Sequence, residues 1–224
     1  MNRDDERVVE GMKLQTERRA AGARRVGWKS AFGTQGGMEY LGISQPLAAF
    51  LSDATLLDSG SSVDVGEWPV PLIEAEVAVR IGRDLDPGAS SEAASEAVEG
   101  VAAAIEMINL GSTDDLTEVV AGSIFHRHFL LGDFVECPGN DLDQIRVAVT
   151  ANGSESEPSD PRDVVGDITA VVAAIADQAE MAGDRLRAGD VIITGAAVPP
   201  GPVQPGDSYR VELNNGSSVS VAIA

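Results

Sequence analysis

Glu74 and Glu76 stand two residues apart in LIEAEVAVRIG. On an extended backbone that spacing sends both carboxylates out of one face, about 7 Å apart at their Cα atoms, close enough to share a divalent cation. The spacing alone says little, because the chain holds five acid-x-acid pairs, about what 36 acidic residues in 224 give by chance. An amphipathic strand also places charge on its solvent side. Glu106 adds weight, since it lies in AAAIEMINL among apolar neighbours. A carboxylate there needs a cation or a basic partner, such as an arginine at a helix end. Three Glu suit Mg2+ or Mn2+ and leave coordination positions for water and substrate.

Lys29, between Trp28 and Ser30 in GWKSAFG, is one of only two lysines. In apolar surroundings its ammonium is either tuned for acid/base work or snorkels to water. His126 and His128 in IFHRHFLL are the only histidines, and an H-x-H pair on a strand can ligate a metal from one face or simply pack. GxSxG, P-loop, H-E-x-x-H and GxGxxG motifs are all absent from the sequence, which removes the commonest hydrolase and nucleotide-binding readings.

The elements that must carry these residues are partly legible. Val8, Val9 and Met12 give one side of a helix from Asp4 to about Arg19, closed by Gly22. RRVGWKSAFGTQGG reads as a short strand running into a glycine-punctuated loop that carries Lys29, not as a helix. Ile73, Ala75, Val77, Val79 and Ile81 alternate with Glu74, Glu76, Ala78 and Arg80, the clearest strand in the chain. Ser90 or Ser91 caps a predicted helix through Ala94, Val98, Val101 and Ile105, leading into Glu106. The stretch from Asp114 to Gly132 is apolar around the two histidines, and RVAVT at 146–150 alternates before a polar loop. A third helix is predicted from Asp163 to about Ala182 with Gly183 ending it, and Asn214-Asn215-Gly216 joins two C-terminal strands as a hairpin. Strands outnumber helices without βαβ alternation, so the expected class is α+β with a large mixed or antiparallel sheet.

Composition bounds the partners. A formal net charge of −20 argues against nucleic acid and anionic membrane surfaces. Apolar runs fall short of the ~20 residues of a membrane span, and the charged start MNRDDERVVE lacks a signal peptide's apolar stretch, so a cytoplasmic protein is expected. Cys137 is the single cysteine, which excludes an intramolecular disulfide and a cysteine-built zinc site. The acidic surplus, with 14 Arg against two Lys, fits either a GC-rich genome or a salt-rich cytoplasm.

The order GWKSAFG, YLGISQP, PLIEAEVAVRIGRDL, AAAIEMI, LRAGDVIITGA, PGDSYRVEL and GSSVSVAIA resembles the 2-keto-4-pentenoate hydratase branch of the fumarylacetoacetate hydrolase superfamily. The likeness runs from residue 24 to the C-terminus. It implies a mixed β-roll with flanking helices, a single catalytic domain over 23–224 after an N-terminal helical segment at 1–22, and Mg2+ or Mn2+ bound by Glu74, Glu76 and Glu106. The third Glu looks like the hydratase and decarboxylase branch, Lys29 matches the family's acid/base lysine, and Thr194 and Gly195 match a segment lining the pocket. The implied activity is a lyase acting on a small 2-oxo acid through a metal-bound enolate, with 2-hydroxypenta-2,4-dienoate hydration foremost. Decarboxylation of a 2-oxo diacid, C–C hydrolysis, and a degenerate binding or partner subunit are the alternatives. Association into a homo-oligomer, or with a related enzyme, is the family-based expectation. Two departures stand out: Leu47 replaces the Asp that the hydratases carry after Q-P, and Ala121–Phe125 replaces an A-D-N-A-S stretch. Ser123 then becomes a candidate substrate contact, and His126 a candidate replacement base.

Overall fold

The computed structural model describes residues 5–19, 22–111, 113, 115–137 and 139–224, except the side chains at 139 and 140. The N-terminal half comprises α1 (Glu6–Arg18), β1 (Arg25–Ala31), α2 (Gln35–Leu41), β2 (Leu47–Ser52), β3 (Leu56–Leu57), β4 (Ser62–Val63), β5 (Pro71–Ile81), α3 (Ser91–Ala97) and β6 (Val98–Asn109). Then come α4 (Leu116–Ala121), β7 (His126–Leu131), β8 (Val135–Glu136), β9 (Val147–Ala151), β10 (Ser154–Glu155), α5 (Arg162–Val165) and α6 (Ile168–Met181). β11 (Val191–Ala196), β12 (Gly201–Pro202), β13 (Ser208–Leu213) and β14 (Ser218–Ile223) close the chain. A nine-stranded mixed sheet runs β2-β1-β11-β5-β6-β7-β3, with β12 beside β5 and β8 beside β6, and a second sheet runs β10-β9-β13-β14-β4. The class is α+β, a mixed β-roll with flanking helices.

Two cores hold the roll together. On β5, Ile73, Ala75, Val77, Val79 and Ile81 enter the large core, while Ala78 faces a smaller one with Ala102, Ala104, Leu51, Phe129, Val191 and Ile193. Leu51 on β2 and Phe129 on β7 sit toward opposite ends of the strand order yet share that small core, so the large sheet curls over it. Alanine at 78, 102 and 104 lets the walls of the curl close to normal packing distance. Glu74, Glu76 and Glu106 continue this inner face toward one end, so the supposedly solvent side of the β5 pattern is interior.

Several local predictions change. The helix expected through Val98, Val101 and Ile105 stops at Ala97, and β6 takes over at Val98. A strand buried on both faces shows no polar alternation, so its apolar residues fall at helix-like intervals by accident. Lys29 lies on β1, paired with Ile193 and Ala49, not in a loop. Residues 35–41, read as loop, form α2 because Thr34 accepts from Gly37 N–H at one end and Gly42 adopts φ 64° at the other. The helix expected from Asp163 breaks at Gly166, φ 74°, into α5 and α6, and Asp167 caps the second by accepting from Thr169 N–H. α1 runs Glu6–Arg18, and the predicted start at Asp4 lies outside the described residues, as does Asp114. Val8 and Met12 of α1 are buried in the large core, and Gln15 ties the helix down by donating to Val120 O and accepting from Phe50 N–H. The Asn214–Gly216 turn joins β13 to β14 as expected.

Candidate functional site

The antiparallel register of β5 and β6 puts Glu74 directly opposite Glu106, with Glu76 one step along the same face. One carboxylate oxygen from each lies within 4.8 Å of the other two, and this is the convergent acidic set among the described residues. Glu76 and Glu106 are fully buried, while Glu74 opens onto a cavity. Each of the two buried groups has one oxygen engaged and one without a partner. Gly195 N–H donates to Glu76 Oε2 at 2.7 Å, and Glu106 Oε1 takes the Lys29 ammonium and sits 2.6 Å from His126 Nδ1. Glu76 Oε1 and Glu106 Oε2 are buried with no hydrogen-bond partner.

Electrostatics makes this arrangement incomplete by itself. Burial, reinforced by the charge on Glu106, pushes the Glu74 carboxyl up to about 7. Burial and the charges of Glu106 and Glu74 push Glu76 well above the ordinary carboxylate range. Burial also works upward on Glu106, but Lys29 and His126 outweigh it and hold that carboxyl low. With all three Glu ionised against one ammonium, the cluster carries two uncompensated negative charges in a desolvated place. A divalent cation matches that deficit, and the two orphaned oxygens are what it would ligate.

Lys29 is 1% exposed on β1 and also donates to Ile124 O at 3.3 Å. That carbonyl is aimed by a left-handed run in which Ser123, Ile124 and Phe125 have φ of 56°, 53° and 64°. Three such non-glycine residues in succession store backbone strain beside the site. The cavity, about 270 Å3, is lined by Lys29, Glu74, Thr194 and Gly195, with Ile124 and Phe125 on its wall. Thr194 Oγ1 donates to Val77 O, leaving its lone pairs for a ligand. Gly195, at φ 102° beside a register break in the β11–β5 ladder, spends its N–H on Glu76.

Other sequence-predicted residues fall elsewhere. Ser123 is not on the cavity wall; its carbonyl accepts from His126 N–H at 3.2 Å. His126 sits behind Glu106 with both ring nitrogens engaged, the second at 2.9 Å from Thr55 Oγ1, and burial lowers its pKa despite the neighbouring carboxylate. A neutral imidazole donating from Nδ1 to Glu106 fits these contacts, so the ring is placed to orient a carboxylate. His128 does not join it: its ring stacks on Trp68 at 6.0 Å, and a register shift at Met107/Ile108 separates the pair, so no H-x-H ligand set forms. Leu47 is buried in the large core, away from the cavity. Sequence reasoning missed Thr55 and the Val164–Val165 wall, which reach the site from distant segments with no motif to mark them.

A curled mixed sheet with three inward carboxylates and a buried lysine defines the class, and comparison with known proteins agrees. The family model for the fumarylacetoacetate (FAA) hydrolase C-terminal domain matches residues 35–223, and the chain belongs to that family. A 4-oxalocrotonate decarboxylase of a Pseudomonas species is 28% identical over 202 residues, covering 89% of this chain and 78% of the relative. The 2-keto-4-pentenoate hydratase of Paraburkholderia xenovorans (strain LB400) is 26% identical over 224 residues, covering 98% and 83%. Among solved structures, 4-oxalocrotonate decarboxylase from Pseudomonas putida G7, complexed with calcium and acetate, superposes with a TM-score of 0.86 at 27% identity, covering 97% of this chain and 86% of that one. The same enzyme complexed with magnesium and adipate gives 0.84, covering 94% and 82%.

Proposed function

We propose that the protein is a metal-dependent lyase acting on a small 2-oxo acid through its enolate, with hydration of 2-hydroxypenta-2,4-dienoate as the leading activity. The observation that carries this is the convergence of Glu74, Glu76 and Glu106, the latter two with orphaned buried oxygens, beside a cavity that Glu74 and Lys29 line. These three residues would hold Mg2+ or Mn2+, which would supply positive charge against the negative charge that develops on a 2-oxo acid as its enolate forms.

The chain's own residues supply the rest. Of the three Lys29 N–H donors, Glu106 and Ile124 O occupy two, leaving one for a ligand or for proton transfer to or from the substrate. Thr194 Oγ1 accepts from substrate, and Gly195 N–H fixes the Glu76 carboxylate. His126 acts as a positioning residue, holding Glu106 from behind. The mostly apolar wall packs against the hydrocarbon part of the substrate.

Decarboxylation of a 2-oxo diacid is the second reading, favoured by the decarboxylase relative and structural match. Product analysis separates the possibilities: incubation of the Mg2+-loaded protein with 2-hydroxypenta-2,4-dienoate yields a 4-hydroxy-2-oxo acid by NMR if it is a hydratase, and CO2 release from 4-oxalocrotonate marks a decarboxylase. Two acid fragments from an acylpyruvate would mark a C–C hydrolase. Turnover of none of these by the metal-loaded, folded protein would leave a binding or partner-subunit role.

The same reading places 23–224 as one catalytic roll preceded by the helical segment 1–22, in a cytoplasmic homo-oligomer. No helix among the described residues is long and apolar enough to cross a membrane. The formal net charge of −20 fits either a salt-rich interior or a GC-rich genome, and the salt dependence of melting separates the two.

A further inference from the structure

Thr55 reaches the carboxylate cluster from just before β3, the short strand at one edge of the large sheet. Its backbone is committed to local structure and to the ladder. Thr55 N–H donates to Ser52 O at 3.2 Å, Thr55 O accepts from Phe129 N–H at 3.0 Å, and the next residue, Leu56, pairs with Phe129 in the parallel β3–β7 register. These bonds tie Thr55 to the strand that carries His126, and none of them uses the hydroxyl. That hydroxyl lies 2.9 Å from His126 Nε2 and 3.2 Å from Ser52 O. A hydroxyl both donates and accepts, so it bonds Nε2 whether or not that nitrogen carries a proton. With Nδ1 at 2.6 Å from Glu106 Oε1 and Phe129 tilted against the ring at 5.8 Å, the imidazole is held at both nitrogens and on one face.

We infer that Thr55 is a positioning residue for the cation site, acting through His126 to fix the rotation of the Glu106 carboxylate. The inference rests on the reading of Glu74, Glu76 and Glu106 as ligands of a divalent cation. Glu106 is the carboxylate that most needs such support. Glu76 has one oxygen fixed by the backbone N–H of Gly195, whereas Glu106 Oε1 is held by two side chains, Lys29 and His126, each with torsions of its own. A side chain orients a carboxylate only as well as it is itself held, which makes the partner behind it part of the site. Holding Oε1 gives Oε2, the buried oxygen without a partner, a single orientation. Without the Thr55 hydroxyl, Nε2 of this buried ring has no partner, and the imidazole gains by turning about its soft χ2 torsion to find one.

The test is calorimetric titration of Mn2+ into wild type, Thr55→Val and Thr55→Ser, with NMR of the nitrogen-labelled histidine rings in the same proteins; His128→Gln assigns the His126 signals. Valine keeps the branched shape and the backbone bonds while deleting the hydroxyl, and serine keeps the hydroxyl. Thr55→Ala, which also lacks it, takes the place of valine if valine prevents folding. Mn2+ affinity is expected to fall about tenfold in Thr55→Val and to return to within about threefold of wild type in Thr55→Ser. In metal-free protein the His126 ring proton is expected to be sharp and protected from exchange in wild type and Thr55→Ser, and broadened in Thr55→Val. Unchanged Mn2+ affinity in Thr55→Val, or an equal loss in both variants, would overturn the inference, because the hydroxyl would then contribute nothing to the cation site. Failure of wild type to bind Mn2+ would overturn the cation reading instead, and identical metal-free ring signals in wild type and Thr55→Val would overturn the hold of Thr55 on His126 whether or not metal binds.

Discussion

Stripping the divalent cation should make the protein's stability fall as pH rises, and restoring the cation should remove that fall. Glu74 is held at about 7 in the fold against 4.5 for the free side chain, and Glu76 is raised in the same direction. A carboxyl whose folded pKa is raised favours the protonated fold, so its contribution is fully present below pH 4.5 and is lost as pH climbs through about 7. For Glu74 alone the shift corresponds to about 3 kcal/mol, or roughly 6–12 °C in Tm for a chain of this size. A bound cation favours the ionised carboxylates, and at a hundredfold excess over Kd it adds about 2.7 kcal/mol. The assay is thermal melting of chelator-treated protein from pH 5 to 8 in high KCl, which screens the general charge repulsion, with and without Mn2+. Glu74→Gln, which cannot ionise, should flatten the metal-free profile. The buried His126, whose pKa is lowered, works in the opposite direction, so the readout is the difference between wild type and Glu74→Gln: a metal-free difference that does not change with pH, or that changes equally with Mn2+ present, would refute the account of the cluster.

Other perturbations probe separate parts of the structure. Glu106→Gln removes the charge that Lys29 and His126 share and leaves a buried ammonium unpaired, so denaturant unfolding should show a loss of about 3–5 kcal/mol that Mn2+ does not restore. Gly27→Ala should cost about 3 kcal/mol or more in the same assay, because a Cβ there would fall 1.8 Å from Val191 O across the parallel β1–β11 ladder. If the formal net charge of −20 reflects salt adaptation, the wild-type Tm should rise between low and molar KCl, and equal melting in both would remove salt adaptation from the account.

How far the sequence foretold the molecule follows from which signals are local. The β5 strand and the C-terminal hairpin are written in alternation and in Asn214-Asn215-Gly216, both complete within a few residues, and both appear in the fold. β6 was hidden because a strand covered on both faces loses the polar half of its pattern, and the spacing of Ala94, Val98, Val101 and Ile105 then mimics a helix. That misreading placed Glu106 on the wrong element, although its apolar neighbours marked it as a residue needing a partner. α2 escaped notice because two glycines weaken its propensity, and the caps at Thr34 and Gly42 set it instead. The meeting of Glu74 with Glu106 depends on pairing register, and the roles of Gly195 and His126 depend on breaks in the β11–β5 and β6–β7 ladders. None of these is encoded within a single segment, so residue types could be nominated from sequence while their division between holding the carboxylates and lining the cavity could not.

The most direct test of the central claim is calorimetric titration of oxalate, a stable analogue of a 2-oxo acid enolate, into protein loaded with Mn2+, alongside a metal-free control and the Glu76→Gln variant. The account predicts binding that requires the metal and is lost in the variant. Oxalate binding of equal strength without metal, or none at all to folded, Mn2+-loaded protein, would contradict it.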